Sequence, residues 1–374
     1  MRAALAALLV VVAGLWACAT PVNVHFDASK PHHRADGFRN LEHFEHERFS
    51  EFLRWKWQQW RTGGPPAAKA PTPMVQPDLE FIGRNGQAGV AMEPAATWIG
   101  HSTVLVQFGG INLLTDPMFS ERPMPVDIGV GPARTQPPGV PLARLPHIDL
   151  VVISHNHYDH LDEKSVLALN AQPGGPPQFV VPLGLKRWFN GVGITRVVEL
   201  DWWQSHMLPG ASGPVEVVLT HVKHWSARSV RDGRMQSLWG GYAIFAPDFH
   251  FYYAGDTGYS GDFKRTREYF RKRQGEQGFD FAAIPIGAYE PRWFMRQQHV
   301  NPEEAVFIHR DVAARASLGV HWGTFLLADE AHDQPPQDLA AARQQHGIKE
   351  NEFFVLAVGE TRRLPRRTAP ATAR

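Results

Sequence analysis

Two imidazoles, a carboxylate and a third imidazole stand close together in SHNHYDHLD at 154–162, which carries His155, His157, Asp159 and His160. The segment follows IDLVVIS at 148–154, a continuous apolar run of the kind a strand buried on both faces requires. Side chains repeat along a strand with period two, so His155 and His157 point the same way at its end and can meet one cation. Once the chain turns, Asp159 and His160 can be aimed at a second. Two metal ions about 3.5 to 4 Å apart can share a bridging hydroxide that is nucleophilic near neutral pH.

Two ions need more donors, and three later strand ends offer them. VEVVLTHVKHWSAR (215–228) ends with His221 and His224, between which spacing does not choose. HFYYAGDTGYS (250–260) runs into Gly255, Asp256, Thr257 and Gly258, where the glycines permit a tight turn that exposes the carboxylate. ASLGVHWGTF (316–325) ends at His321, followed by Gly323. Taken singly, Asp256 reads equally well as an Asx-turn residue and His321 as a buried histidine beside Trp322. Beside the first cluster each becomes a candidate ligand. Asp116, after LLT, and His101, in GHST, are candidates for orienting a ligand, with an ordinary turn as the alternative. The single cysteine, Cys18, excludes a zinc site of several thiolates and an internal disulfide framework.

The elements that must carry these residues are short β-rich runs separated by turn signals. TWIGHSTVLVQFGGINLLTDP (97–117) reads as two strands joined at Gly109 and Gly110, and helical stretches are expected over 163–170 and 302–314. Strands and helices mixed over this length imply a layered α/β domain. The 374 residues are 43% hydrophobic and 20% charged, enough for a well-filled core. With 38 Lys and Arg against 37 Asp and Glu, the net charge of +1 gives no footprint for nucleic acid.

The amino terminus has a different character. Residues 1–17 carry a basic start and a short apolar run, the pattern of an export signal. Leu15-Trp16-Ala17-Cys18 resembles a bacterial lipobox, which implies cleavage before Cys18, acylation of its sulfur and, with Ala19 next, an outer-membrane lipoprotein facing the periplasm. Residues 18–76 form a lipidated N-terminal segment in this reading. It contains an amphipathic aromatic helix at 46–61, in which Phe49, Phe52, Leu53, Trp57 and Trp60 share a face, and a Pro-rich linker at 65–73. That face suits a membrane interface or packing on the following domain. The layered α/β domain is expected over 77–362 and a basic tail over 363–374.

The ordered set of an HxHxDH motif, a later His, an Asp and a final His resembles the metallo-β-lactamase superfamily. GHSTVLVQ, LTDPMFS, ELDWW, HWSAR, AGDTGYS, IPIGAYEPRWFM, QHVNPEEAV and HWGTF, with GFRN at 37–40, are similar to its N-acyl-phosphatidylethanolamine-hydrolysing phospholipase D branch. The resemblance implies a four-layer αβ/βα sandwich and two Zn2+ ions, other divalent metals being acceptable to the same donors. It assigns His155, His157 and His224 to one ion, Asp159, His160 and His321 to the other, and Asp256 to both. Asp159, Asp256 and His321 are then catalytic, and Tyr158 and His299 bind substrate. The implied reaction is hydrolysis of a phospholipid phosphodiester, releasing N-acylethanolamine and phosphatidic acid, at a membrane surface reached through the lipid anchor. The alternatives are hydrolysis of a lactone, β-lactam or other carbonyl ester, and a non-catalytic envelope lipoprotein; oligomeric state is not readable from sequence.

Overall fold

The computed structural model describes residues 22–45, 49–124, 129, 131–228 and 234–367. The export signal, Cys18, residues 46–48 of the aromatic helix and residues 368–374 of the tail lie outside the described residues.

A short hairpin, β1 (His33–Arg34) and β2 (Gly37–Phe38), comes first. The strands β3 (Ala95–Gly100), β4 (Thr103–Phe108), β5 (Ile111–Thr115), β6 (Leu150–Val152), β7 (Gln178–Pro182) and β8 (Val197–Leu200) lie side by side in that order. A second sheet follows with β9 (Ser205–Leu208), β10 (Val215–Thr220), β11 (Gly241–Ala246), β12 (Phe249–Tyr253), β13 (Phe281–Pro285), β14 (Ser317–Val320) and β15 (Phe353–Phe354). The last strand, β16 (Thr361–Arg363), returns to the first sheet beside β3. Each sheet is antiparallel in its first half and parallel in its second, so the two halves of the chain repeat one plan.

Alternating side chains explain the layering. Val104, Val106, Phe108, Leu113 and Val152 share one core with Val217, Leu219 and Phe251 of the other sheet. Leu105, Leu114, Val151, Ile153, Phe179 and Val181, pointing the other way, form a second core. Because both faces are covered, the strands read as unbroken apolar runs. The helices are α1 (Phe49–Thr62), α2 (Leu79–Gly86), α3 (Glu163–Asn170), α4 (Lys186–Gly191), α5 (Asp262–Gln274), α6 (Arg292–Met295), α7 (Pro302–Asp311) and α8 (Gln334–His346). Phe81 and Ile82 of α2, Leu169 of α3 and Phe189 of α4 cover the first sheet. Phe263 and Phe270 of α5, Ile308 of α7 and Leu339 of α8 cover the second. The result is the expected four-layer αβ/βα sandwich, each buried Phe or Leu contributing roughly 1.5–3 kcal/mol.

One local expectation changes, and two features add to what the sequence implied. The run at 97–117 holds three strands, because Gly100 (φ +128°) and His101 (φ +53°) reverse the chain with only one glycine to mark the turn. The linker at 65–73 is strapped to the domain: Thr72 Oγ1 donates to the Gly323 carbonyl over 2.6 Å, and the Lys69 and Ala70 amides donate to Asp333. Residues 22–45 also pack on the domain, with Phe38 fully buried in the larger hydrophobic core. The polar composition there hides the few anchoring side chains.

Helix α1 is two-sided in a way its spacing does not reveal. Trp55 is 5% exposed, stacks on Phe294 with centroids 4.8 Å apart and donates from Nε1 to Asp329 Oδ2 over 2.8 Å. Trp57 and Trp60, on the expected apolar face, are 53% and 80% exposed.

Candidate metal centre

One rim of the sandwich gathers the ends of β3, β6, β10, β12 and β14, from which His101, His155, His224, Asp256 and His321 project. All seven residues of the expected ligand set meet there. His157 Nδ1 lies 2.8 Å from His155 Nε2 and 3.4 Å from His224 Nε2. Next to this trio, Asp159 Oδ2 lies 3.3 Å from His160 Nε2 and 3.4 Å from His321 Nε2. Asp256 Oδ2 is 3.0 Å from His160 Nε2, 3.1 Å from His321 Nε2 and 3.9 Å from His155 Nε2, so it stands between the two groups.

Hydrogen bonds behind the histidines fix which nitrogen faces inward. Asp116 Oδ2 accepts from His160 Nδ1 over 2.7 Å, which turns Nε2 inward. Ser154 spends its hydroxyl proton on Asp116 over 2.5 Å and therefore accepts from His155 Nδ1 at 2.9 Å, again turning Nε2 inward. The Gln298 carbonyl accepts from His224 Nδ1 at 2.9 Å with the same outcome. In each case the nitrogen turned inward is Nε2, where a cation can take the place of a proton.

The charges suit a cation as well, because His160 and His321 carry protons beside the carboxylates that a divalent ion would displace. Burial pushes the imidazoles of His155 and His224 well below their ordinary pKa and that of His157 to about 4, so all three are neutral. Burial would also raise Asp159 and Asp256, but His160 beside both outweighs it and holds them well below the usual carboxylate range. The carboxylates in turn overcome burial at His160, raised well above its ordinary value, and at His321, raised to about 9. His160 Nε2, His321 Nε2 and Asp256 Oδ1 are buried without a hydrogen-bond partner. Two buried carboxylates facing unpartnered imidazole nitrogens fit divalent ions in His/Asp coordination.

The backbone is shaped to bring these groups close. A Cβ on Gly255 (φ +61°) would sit 2.7 Å from Ser154 Cβ, so the turn before Asp256 packs on the strand end that carries His155. His321 adopts φ +62° and its amide donates to the His101 carbonyl. His101, an ambiguous residue in sequence, has its imidazole pushed down to about 3 by burial and by His321, so it is neutral. Its Nε2 donates to Asp159 Oδ2 over 3.1 Å.

Other expected residues separate. His221 lies outside the cluster, packed against Trp202 and Trp203 with Nδ1 3.6 Å from Asp262. His299 is in place, with Nδ1 3.9 Å from Asp256 Oδ2 and its carbonyl held by Arg292. Tyr158 does not line the cavity over the centre; its ring faces the Arg228 guanidinium at 4.3 Å. Arg228 also donates to the carbonyls of Asn156 and Leu161, clamping the loop from both ends. Sequence reading missed Arg228, Ser154, Tyr253 and Gln298, since hydrogen bonds from distant segments leave no local pattern.

The centre floors a cavity of about 510 Å3. Its polar base is His157, Asp159, Asp256, His299 and His321, and its walls include Phe52, Trp55, Trp225, Phe294, Met295 and Leu327.

Residues 111–322 match the family described as "Beta-lactamase superfamily domain". The chain is 39% identical over 278 residues to the N-acyl-phosphatidylethanolamine-hydrolyzing phospholipase D 1 of Caenorhabditis elegans, a match covering 71% of this chain and 74% of that one. It is 35% identical over 260 residues to the mitochondrial N-acyl-phosphatidylethanolamine-hydrolyzing phospholipase D of Saccharomyces cerevisiae, covering 68% of this chain and 53% of the yeast protein. Among solved structures, an isothiocyanate hydrolase from Delia radicum gut bacteria superposes with a TM-score of 0.55 at 18% identity, over 72% of this chain and 99% of that one, a likeness of fold.

Proposed function

This chain belongs to the beta-lactamase superfamily, and from that premise we propose that it is a metal-dependent phosphodiesterase of the phospholipase D type. Its substrate is an N-acyl-phosphatidylethanolamine, cleaved to N-acylethanolamine and phosphatidic acid. The carrying observation is the pairing of a buried His/Asp centre with an aromatic and aliphatic cavity directly above it. A phosphate with an acyl chain attached matches that division.

His155, His157 and His224 would hold one ion and Asp159, His160 and His321 the other, with Asp256 serving both; imidazole-rich donors favour zinc. When bound, such ions supply Lewis acidity toward phosphoryl oxygens and lower the pKa of a coordinated water. The chain's own groups do the rest. Burial pushes His299 down to about 4, so a neutral imidazole stands beside Asp256, able to exchange a hydrogen bond with a phosphoryl or leaving-group oxygen. Phe52, Trp55, Phe294, Met295 and Leu327 exclude water and receive acyl carbons.

The test is a parallel assay of the metal-loaded protein on vesicles containing N-acyl-phosphatidylethanolamine and on a lactone. Phosphatidic acid release without lactone opening is expected, and the reverse outcome removes the proposal. The export-signal pattern at 1–17 and the placement of Cys18 support an outer-membrane lipoprotein facing the periplasm, anchored beside its phospholipid substrate. Incorporation of labelled fatty acid, lost in Cys18→Ser, is the expected result.

A further inference from the structure

The N-terminal segment ends on a contact that the proposed metal chemistry does not account for. Asn40 Nδ2 donates to the His224 carbonyl over 2.8 Å, and the His224 amide donates to Asn40 Oδ1 over 3.1 Å. One carboxamide therefore takes both main-chain groups of a single residue, as a neighbouring strand would. Asn40 is 9% exposed and His224 fully buried, so neither bond has water to replace it. We propose that Asn40 is a positioning residue for the trio His155, His157 and His224, and that residues 22–45 are a working part of the metal centre. The inference rests on the metal-dependent reading above.

The reason lies in how His224 is placed. The strand β10 ends at Thr220, and the residues after it leave the sheet. Lys223 is tied to the Asp256 turn, its amide donating to Thr257 Oγ1 and its carbonyl accepting from the Gly258 amide at 2.8 Å. The ring of His224 is fixed at Nδ1 by the Gln298 carbonyl. Its main chain is fixed by Asn40. Without the carboxamide, the pivot on which the ring turns has lost both its bonds, while the sheets are untouched.

Asn40 is itself placed from behind. Phe38 sits in the larger hydrophobic core, and its amide donates to the Met235 carbonyl at 2.8 Å. Gly37, at φ +143°, passes so near that a Cβ there would lie 2.4 Å from the same carbonyl. Upstream, the Asp201 carboxylate accepts from Lys30 at 2.6 Å, His32 at 2.7 Å and His33 at 2.9 Å, and from the Trp202 amide at 2.8 Å. Both its oxygens are thus satisfied and the Lys30 ammonium neutralises it. This buried His/His/Asp group is a pin for the segment, since a metal ion would have to displace Lys30.

The experiment titrates zinc into the full-length apoprotein and into Asn40→Ala and the isosteric Asn40→Asp, reading stoichiometry, affinity, apoprotein melting and turnover. Wild type is expected to bind two equivalents. Both variants should lose affinity for one equivalent by on the order of 10- to 100-fold, keep the other, and show a fall in kcat larger than any change in KM. Asn40→Asp, which keeps an acceptor for the His224 amide but sets a buried carboxylate oxygen against the His224 carbonyl, should be no milder than Asn40→Ala. Two equivalents bound with wild-type affinity in both variants would overturn the inference while leaving the proposed function intact. A wild-type protein that binds no metal would overturn both.

Discussion

His160 Nδ1 lies 2.7 Å from Asp116 Oδ2, and the same carboxylate accepts from the Ser154 amide, the Ser154 hydroxyl and the Tyr253 hydroxyl. Through Ser154 it also sets the tautomer of His155. One buried acid thus orients a proposed ligand of each metal ion. Asp116→Asn exchanges an acceptor for a donor at Oδ2, where His160, the Ser154 hydroxyl and Tyr253 converge, so it should weaken both metal equivalents by on the order of 10- to 100-fold with the fold retained. Metal titration checks this, and unaltered affinity would remove the assigned role.

Asp256 is the residue whose loss separates chemistry from folding most cleanly. Its Oδ2 faces His160, His321 and His155, while its main chain turns beside Gly255 at the rim, outside both cores. Asp256→Asn keeps the shape and removes the charge that the two groups share. Turnover should drop by more than the roughly 100-fold limit for a residue acting behind a ligand, with circular dichroism unchanged. Activity within a few-fold of wild type would sink the proposed mechanism.

The two faces of α1 predict opposite outcomes. Trp55→Ala opens a gap against Phe294 and leaves Asp329 without its indole donor, so it should cost about 3–5 kcal/mol of local or global stability. Trp57→Ser with Trp60→Ser should change stability by only about 0.5 kcal/mol or less and should reduce binding to phospholipid vesicles. Urea unfolding and vesicle sedimentation measure the two effects. Unchanged vesicle binding in the double variant would show that the exposed tryptophans do not touch lipid.

How much of this was legible in sequence depends on distance along the chain. His155, His157, Asp159 and His160 could be read together because a strand and the turn after it place them. His224, Asp256 and His321 could be nominated as strand-end residues, although choosing His224 over His221 required the family pattern. What stayed hidden acts across the fold: Asn40 reaches His224 over 184 positions and Tyr253 reaches Asp116 over 137, and no local period encodes either. Turns made by non-glycine residues at positive φ, as at His101 and His321, were hidden for the same reason. The apolar stripe of α1 did not show the buried side, because Trp55, off that stripe, is the residue stacked on Phe294.

Acid should destabilise the fold through histidines far from the metal centre. His250, on β12, and His309, on α7, are 6% and 5% exposed. Burial, reinforced by Arg367 and Arg273, pushes His250 down to about 3. Burial likewise pushes His309 to about 4, with Glu352 opposing it in part, and its Nδ1 lies 2.8 Å from Ser317 Oγ. Unfolded, both would titrate near 6.5, so between the two values the unfolded chain binds more protons. Stability from these groups is therefore complete above pH 6.5 and is lost as pH falls through 4 and then 3, by about 3 kcal/mol for His309 and about 5 kcal/mol for His250 once fully titrated. Urea unfolding from pH 7.5 to 4.5 at fixed metal loading measures the slope. His309→Gln, which keeps a donor for Ser317 and cannot be protonated, should flatten it. Equal slopes in the variant and the wild type would show that His309 does not carry this pH dependence.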